Sequence, residues 1–348
     1  MPESYQRILV RATNWIGDAV MSLPALRALR ARFPAARITL LAMPWVADLY
    51  GREPFCDELI PWRAQRGARD LAEKWRVGRS LAEHRFDLAI VLPNSFDSAL
   101  PAWLAGIPRR VGFDRDARGW LLTDRIARIQ PGDTPPHQSF YYLELLRRAG
   151  LIDALPTEVV IRLEGAAVAR ERGRERLGSG RVVGVCPGAA FGGAKRWAPE
   201  RFAAAAAEIA ERMGAGVLLF GSRDEVAICD EVNRHLGGAA RSFAGATTLG
   251  EFVELLAACD VVLTNDSGPM HVASALGVPT VAVFGSTDPI ATGPTGPLAR
   301  VVREAVACSP CFERECPLSG VEANLACLRG VRAQQVAAAA LDLLNLRT

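Results

Sequence analysis

Lysine is almost missing from this chain of 348 residues: of its 41 basic residues only Lys74 and Lys195 are lysines, and the rest are arginine. Against that background each lysine raises the question of what a compact ammonium does that a planar guanidinium cannot. Also missing is any apolar run near the ~20 residues that span a bilayer. The opening stretch MPESYQRILVRATNW has no signal-peptide hydrophobic core, so the expected location is the cytoplasm. No G-x-G-x-x-G follows a predicted strand, which argues against nicotinamide and flavin enzymes, and no G-K-[ST] closes a glycine-rich loop as a Walker A site requires. Helix-turn-helix, RNP-like and zinc-finger spacings are absent, and nucleic acid is not an expected partner.

What is present is a chain half hydrophobic and long enough for two cores. Residues 1–150 hold 22 lysines and arginines against 16 acids, and residues 151–348 hold 19 against 22. The first half therefore favours an anionic partner more than the second. Short apolar runs alternate with amphipathic stretches in two series. The first predicts strands at 7–10, 38–42, 58–62, 88–92 and 110–113, with a helix from about Asp18 to Phe33. The second predicts strands at 182–188, 217–221, 261–266 and 280–285, with helices near 199–213, 224–235, 249–258 and 268–276. Such alternation implies parallel sheets covered on both faces. The expected organisation is an α/β protein with a first Rossmann-like domain over 1–160 and a second over 161–330, joined through the charged stretch 153–180. A closing helix within 331–348 is expected to pack back on the first domain.

In open parallel sheets ligands bind at the carboxyl ends of the strands, and the chain is polar at several of these ends. TNDSGPMH (264–271) turns from a strand directly into a helix, placing Ser267 and Gly268 where free N–H groups and the helix dipole favour an anion. Helix capping by Asp266 or Ser267, and a core role for His271, are the plainer alternatives. PGAAFGGAKRW (187–197) follows another strand, and Gly188, Gly192 and Gly193 would let backbone approach a phosphate beside Lys195; a solvated surface loop is the alternative. Glu225, in FGSRDE, suits a ribose contact or a helix start. Asp18 lies at the mouth of the first helix as a cap or a functional acid. The run 61–80, with six basic residues and two acids, is a candidate for anionic groups or a solvated helix. Asp114 and Asp116 in DRD sit among arginines and read as ion-paired surface. Cys308, Cys311, Cys316 and Cys327, spaced C-x2-C-x4-C-x10-C, suggest structural zinc or iron, with reduced thiols as the alternative. Cys56, Cys186, Cys229 and Cys259 read as core residues.

Taken together, RATNWIGDAVMSLPALRALRARFP, VLPNSFDSAL, GVCPGAAFGGAKRW, VLLFGS and LTNDSGPMHVASALGVPTVAVFGSTDP closely resemble the ADP-heptose:lipopolysaccharide heptosyltransferases, the heptosyltransferase II branch best, from about residue 7 to 330. The resemblance implies a GT-B fold, two Rossmann-like doubly wound domains facing across a cleft, with acceptor in the first and nucleotide sugar in the second. It further implies inverting transfer of heptose from ADP-heptose to heptosyl-Kdo2-lipid A, no cofactor for catalysis, and contact with the cytoplasmic face of the inner membrane through that lipid. Asp18 matches the family's catalytic carboxylate, Lys195 the lysine near diphosphate and sugar, and Asp266 the acid on the heptose. Ser267 and Gly268 match the phosphate-contacting pair, His271 the adjacent histidine and Glu225 the ribose contact. Gly188-Ala189-Ala190 replaces the paired threonines of heptosyltransferase I relatives, which leaves phosphate contacts to backbone amides and favours type II. Arg63, Arg66, Arg69, Lys74, Asn94 and Ser95 are the acceptor-side candidates. Some protein-modifying relatives hold iron with four cysteines, which bears on the cysteine cluster. A related enzyme with another acceptor, lipid or protein, a GT-B epimerase and a non-catalytic nucleotide-sugar-binding protein are the competing readings.

Overall fold

The computed structural model describes residues 4–63, 68–320 and 322–346. Its contacts divide the chain into two compact units, Met1–Val159 and Val160–Thr348. The first holds β1 (Arg7–Arg11), β2 (Arg37–Ala42), β3 (Glu58–Pro61), β4 (Leu88–Val91), β5 (Arg109–Phe113) and β6 (Asp124–Ile126), all pairing in parallel in the order β3-β2-β1-β4-β5-β6. Its helices are α1 (Ile16–Arg32), α2 (Pro44–Tyr50), α3 (Ala68–Glu83), α4 (Phe96–Leu104) and α5 (Gln138–Arg148).

The second unit repeats the plan with β7 (Val182–Cys186), β8 (Gly216–Leu219), β9 (Arg241–Ser242), β10 (Val261–Asn265), β11 (Thr280–Phe284) and β12 (Ala299–Arg303), in the order β12-β11-β10-β7-β8-β9. Its helices are α6 (Ala166–Leu177), α7 (Pro199–Met213), α8 (Val226–His235), α9 (Leu249–Ala257), α10 (Gly268–Ala275), α11 (Pro289–Thr292), α12 (Ala326–Arg329) and α13 (Ala333–Asn345). Read from its own first strand, each sheet has the 3-2-1-4-5-6 order of a dinucleotide-binding fold.

The central strands are where continuous apolar runs predict them, because a strand covered on both faces has no polar side to show. Every residue of β4, β7, β10 and β11 is buried. Connections of parallel strands must cross over, so all the strand ends that can carry loops into a ligand lie along one edge of each sheet. In each sheet the winding direction reverses between two neighbouring strands, β1 and β4 in one and β7 and β10 in the other. There the flanking loops diverge and leave a crevice.

One expectation changes, and one element is placed. The charged stretch expected as a linker contains α6, an arginine-rich helix that buries only Ala169 and Gly173. A Cβ on Gly173 would lie 2.0 Å from the Glu254 carbonyl oxygen, so α6 rests on α9 backbone to backbone and needs no apolar stripe. The closing helix, α13, lies in the core of the second unit: Val336, Ala337, Ala340 and Leu343 join Trp197, Ile209, Val183 and Leu263.

Candidate active site

At the switch point of the second sheet, β10 ends at Asn265, whose buried amide ties the two sides of the crevice together. Its Oδ1 accepts from Trp197 N at 3.0 Å and its Nδ2 donates to the Pro187 carbonyl at 2.7 Å. The loop after β7 is thereby drawn onto the end of β10. Lys195 closes a single helical turn in that loop, and its Nζ lies 2.5 Å from Asp266 Oδ2. The ammonium also sits 4.8 Å above the Phe191 ring. Asp266 is buried, and its Oδ2 accepts a further bond from the Thr287 hydroxyl. A short cation and a short acid thus fix each other in a nearly dry crevice.

The next residues start α10. Ser267 occupies the N-cap position in an extended conformation and makes no side-chain capping bond, so Gly268 opens the helix with its dipole directed outward. His271 is buried one turn in. Gly188 lies under Glu225: a Cβ there would be 2.1 Å from Glu225 Oε1, so any larger residue would displace the Glu225 carboxylate. The other oxygen, Glu225 Oε2, accepts from Ser222 N at 2.8 Å and Ser222 Oγ at 2.9 Å, a capping box. Glu225 is therefore a helix-start acid that also faces the β7 loop.

The segment following β12 braces this crevice. Gly193 N donates to Glu315 Oε1 at 2.8 Å and Ala194 N to the Arg314 carbonyl at 2.9 Å. Phe312 N donates to the Ser286 carbonyl at 2.7 Å, and Arg314 stacks 5.4 Å over Phe191. Cys308, Cys311, Cys316 and Cys327 line one small cavity of about 60 Å³ in the same segment, walled by Ala194, Pro317, Leu318 and Leu325. Burial, with the neighbouring thiols, pushes Cys327 up. Among the described residues, however, no three His, Cys, Asp or Glu side chains are disposed to hold an ion. The expected zinc or iron is unsupported for a physical reason. Cys327 is buried in the apolar core, Cys316 Sγ accepts from Leu325 N at 3.3 Å and Cys308 is exposed, so the four line one cavity without converging on a common point. Burial pushes the Cys229 and Cys259 thiols up to about 12 and pushes the Cys186 thiol well up as well, as expected of core cysteines.

At the switch point of the first sheet, Asp18 is the third residue of α1, with Trp15 at the N-cap position. Its Oδ1 accepts from the Tyr142 hydroxyl at 3.0 Å. Arg11, at the end of β1, is buried and held by the Ala12 and Leu41 carbonyls and Asn14 Oδ1, which fixes the turn into α1; desolvation pushes it down to about 10. After β4, Asn94 Oδ1 accepts from Tyr141 OH at 3.0 Å, and Arg118, fully buried, donates to the carbonyls of Pro93 and Phe113 and to Ser98 Oγ. Ser95 is the N-cap of α4, without a side-chain capping bond.

The basic run of the first unit divides. Arg63 is exposed, Arg66 and the side chain of Arg69 lie outside the described residues, and Lys74 is buried with Nζ 2.6 Å from Asp97 Oδ1. Lys74 thus ties α3 to α4. Of the arginines around Asp114 and Asp116, Arg109 pairs with Asp124, and Arg110 and Arg118 donate to carbonyls. Sequence reasoning missed Tyr142, Thr287, Phe191, Asn265 and Tyr141. Thr287 and Asn265 were within reach, because both abut predicted strand ends; Tyr142 had no local signal.

Two Rossmann-type units, each with charged and amide side chains at its switch point, are the architecture of the GT-B fold class. Residues 74–322 match the profile of glycosyltransferase family 9 (heptosyltransferase). Lipopolysaccharide heptosyltransferase 2 of Escherichia coli strain K12 is 37% identical over 308 residues, covering 85% of this chain and 88% of that one. The structure of E. coli ADP-heptose lipopolysaccharide heptosyltransferase II superposes with a TM-score of 0.81 at 33% identity, over 98% and 99% of the two chains. A family 9 glycosyltransferase from Veillonella parvula superposes at 0.82 with 25% identity, over 100% and 99%. The chain belongs to glycosyltransferase family 9, the heptosyltransferases.

Proposed function

We propose that this enzyme transfers heptose from ADP-heptose, with inversion, to the heptosyl-Kdo2-lipid A precursor of the lipopolysaccharide inner core. The observation that carries the donor side is the Lys195–Asp266 pair at the β7–β10 switch point, beside the start of α10. Asp266 holds the sugar hydroxyls. Lys195 and the α10 dipole stabilise the charge that builds on the diphosphate as ADP leaves. Asp18, in the first unit, accepts the proton of the acceptor hydroxyl as its oxygen bonds to the anomeric carbon. The choice of the second core heptose is supported by the relatives named heptosyltransferase 2 and by Gly188-Ala189-Ala190 in the donor loop. With ADP-heptose as donor, product is expected from heptosyl-Kdo2-lipid A and not from Kdo2-lipid A. Transfer to Kdo2-lipid A alone would sink the assignment.

The acceptor is a membrane lipid, and the location proposed is the cytoplasmic face of the inner membrane, reached peripherally. Support comes from the first unit's exposed aromatics. Trp75 of α3 is 59% exposed, Trp103 of α4 40% and Trp120 55%, with Trp103 and Trp120 in edge contact at 5.6 Å. Exposed Arg76 and Arg79 share α3 with Trp75. Indole rings settle at headgroup depth and arginines meet anionic lipid. Replacing Trp75, Trp103 and Trp120 together by serine is expected to lower co-sedimentation with anionic vesicles several-fold while leaving ADP-heptose affinity intact. Unchanged sedimentation would remove the tryptophans from membrane contact.

A further inference from the structure

Asp18 does not stand alone on α1. α5 packs along α1 and brings Tyr142, a buried side chain, to hydrogen-bonding distance of its carboxylate, 3.0 Å from hydroxyl to Oδ1. Behind it the Tyr50 hydroxyl of α2 meets Thr13 Oγ1 at 3.0 Å and Ser22 Oγ at 3.2 Å, and the Ser22 hydroxyl donates to the Ala19 carbonyl at 2.8 Å. The Asp18 charge is felt by Tyr142 from α5 and by Tyr50 from α2, and Tyr50 in turn acts on Arg11 of β1. Burial, reinforced by the Asp18 charge, pushes the Tyr142 phenol well up, so it stays a hydroxyl and a donor across the working pH range.

We infer that Tyr142 is the positioning residue for the general base: its hydroxyl holds Oδ1 of the Asp18 carboxylate and so turns Oδ2 for proton transfer from the acceptor. The inference rests on Asp18 being that base. In the reaction the acceptor O–H bond breaks and its proton passes to Asp18 Oδ2, while Oδ1 stays on Tyr142. The acceptor oxygen bonds to the anomeric carbon, and the bond from that carbon to the diphosphate breaks, its electron pair leaving with ADP. A base oriented by a third group loses less rate to misdirected rotamers. A donor on the charged form also lowers the carboxyl's affinity for protons. The arrangement gives up some basicity for a carboxylate that is ionised and correctly turned before the acceptor arrives.

The test is the pH profile of kcat/KM for heptosyl-Kdo2-lipid A, with ADP-heptose saturating, in the full-length enzyme. Removing the hydroxyl with Tyr142→Phe keeps the ring and its packing. It is expected to move the acid limb upward by about one pH unit and to lower kcat about tenfold, the scale of one hydrogen bond to a charged group. KM for ADP-heptose is expected to stay put, because Tyr142 and Asp18 both belong to the first unit. A ring-fluorinated tyrosine in place of Tyr142, a stronger donor of nearly the same shape, is expected to move the limb the opposite way, and it covers the case in which Tyr142→Phe fails to fold. An acid limb unmoved in either variant, with Asp18→Asn inactive, overturns the role of Tyr142 and leaves Asp18 as the base. A fully active Asp18→Asn overturns both.

Discussion

Asp18→Asn is expected to lower heptose transfer by 10²–10⁴-fold, the usual cost of losing a general base, with ADP-heptose affinity nearly unchanged. The amide is isosteric with the carboxylate, and its Oδ1 can still accept from the Tyr142 hydroxyl that lies 3.0 Å from the native oxygen. The fold of the α1–α5 pair is therefore retained, and what disappears is the capacity to take a proton. Isothermal titration with ADP-heptose reads the donor side, and single-turnover transfer reads the chemistry. Near-normal turnover would reduce Asp18 to a favourable charge in the first turn of α1.

Lys195→Ala is expected to remove about 3 kcal/mol of transition-state stabilisation, on the order of 10²-fold in kcat, by analogy with a lost electrostatic donor at a developing anion. Lys195→Arg should recover only part of this. The ammonium occupies a narrow place between Asp266, 2.5 Å away, and the Phe191 ring, and a planar fork does not fit that space in the same way. The alanine variant also leaves Asp266 buried without its ammonium, which destabilises the second unit apart from any effect on catalysis. Combining Lys195→Ala with Asp266→Asn separates the two effects. Thermal unfolding should return toward the parent value while turnover stays low. A fully active Lys195→Arg enzyme would show the lysine to be incidental and leave the anion site to the start of α10 alone.

How far the sequence spoke depended on how local the physics was. The central strands and the helices that pack on them announce themselves through apolar runs and amphipathic spacing, so β1, β4, β7, β10, α7 and α10 lie within a few residues of expectation. Asp18, Lys195, Asp266 and Ser267 were visible because a turn from a strand into a helix is a local pattern. β6, β9 and β12 were not visible, since short edge strands with exposed positions carry little hydrophobic signal. α6 escaped because contact through glycine leaves no apolar stripe. Lys74 read as one of a basic run that meets the acceptor's anionic groups, with a solvated helix as the alternative. Its burial follows from the close meeting of α3 and α4, where a Cβ on Gly78 would lie 2.5 Å from Leu104 Cβ, and this approach leaves the lysine facing Asp97. Tyr142 is separated from Asp18 by 124 positions, and no periodicity links them. Cysteine spacing was legible; that the four side chains share a cavity without being disposed to hold an ion was not.

The brace on the lysine loop has a consequence for the order in which the protein becomes an enzyme. Gly193 and Ala194 are held by Glu315 and Arg314, and the core beneath them is closed by Val336, Ala337, Ala340 and Leu343 of α13. On the ribosome the lysine loop emerges well before Asn265 and Asp266, and earlier still relative to Glu315 and Arg314, which brace it. The first unit can complete its sheet while the second is still being made, and domains commonly fold in that order. The donor site cannot be finished so early. Its lysine waits on the last part of the second unit, so a nascent chain can carry a folded acceptor-side half without the means to transfer sugar.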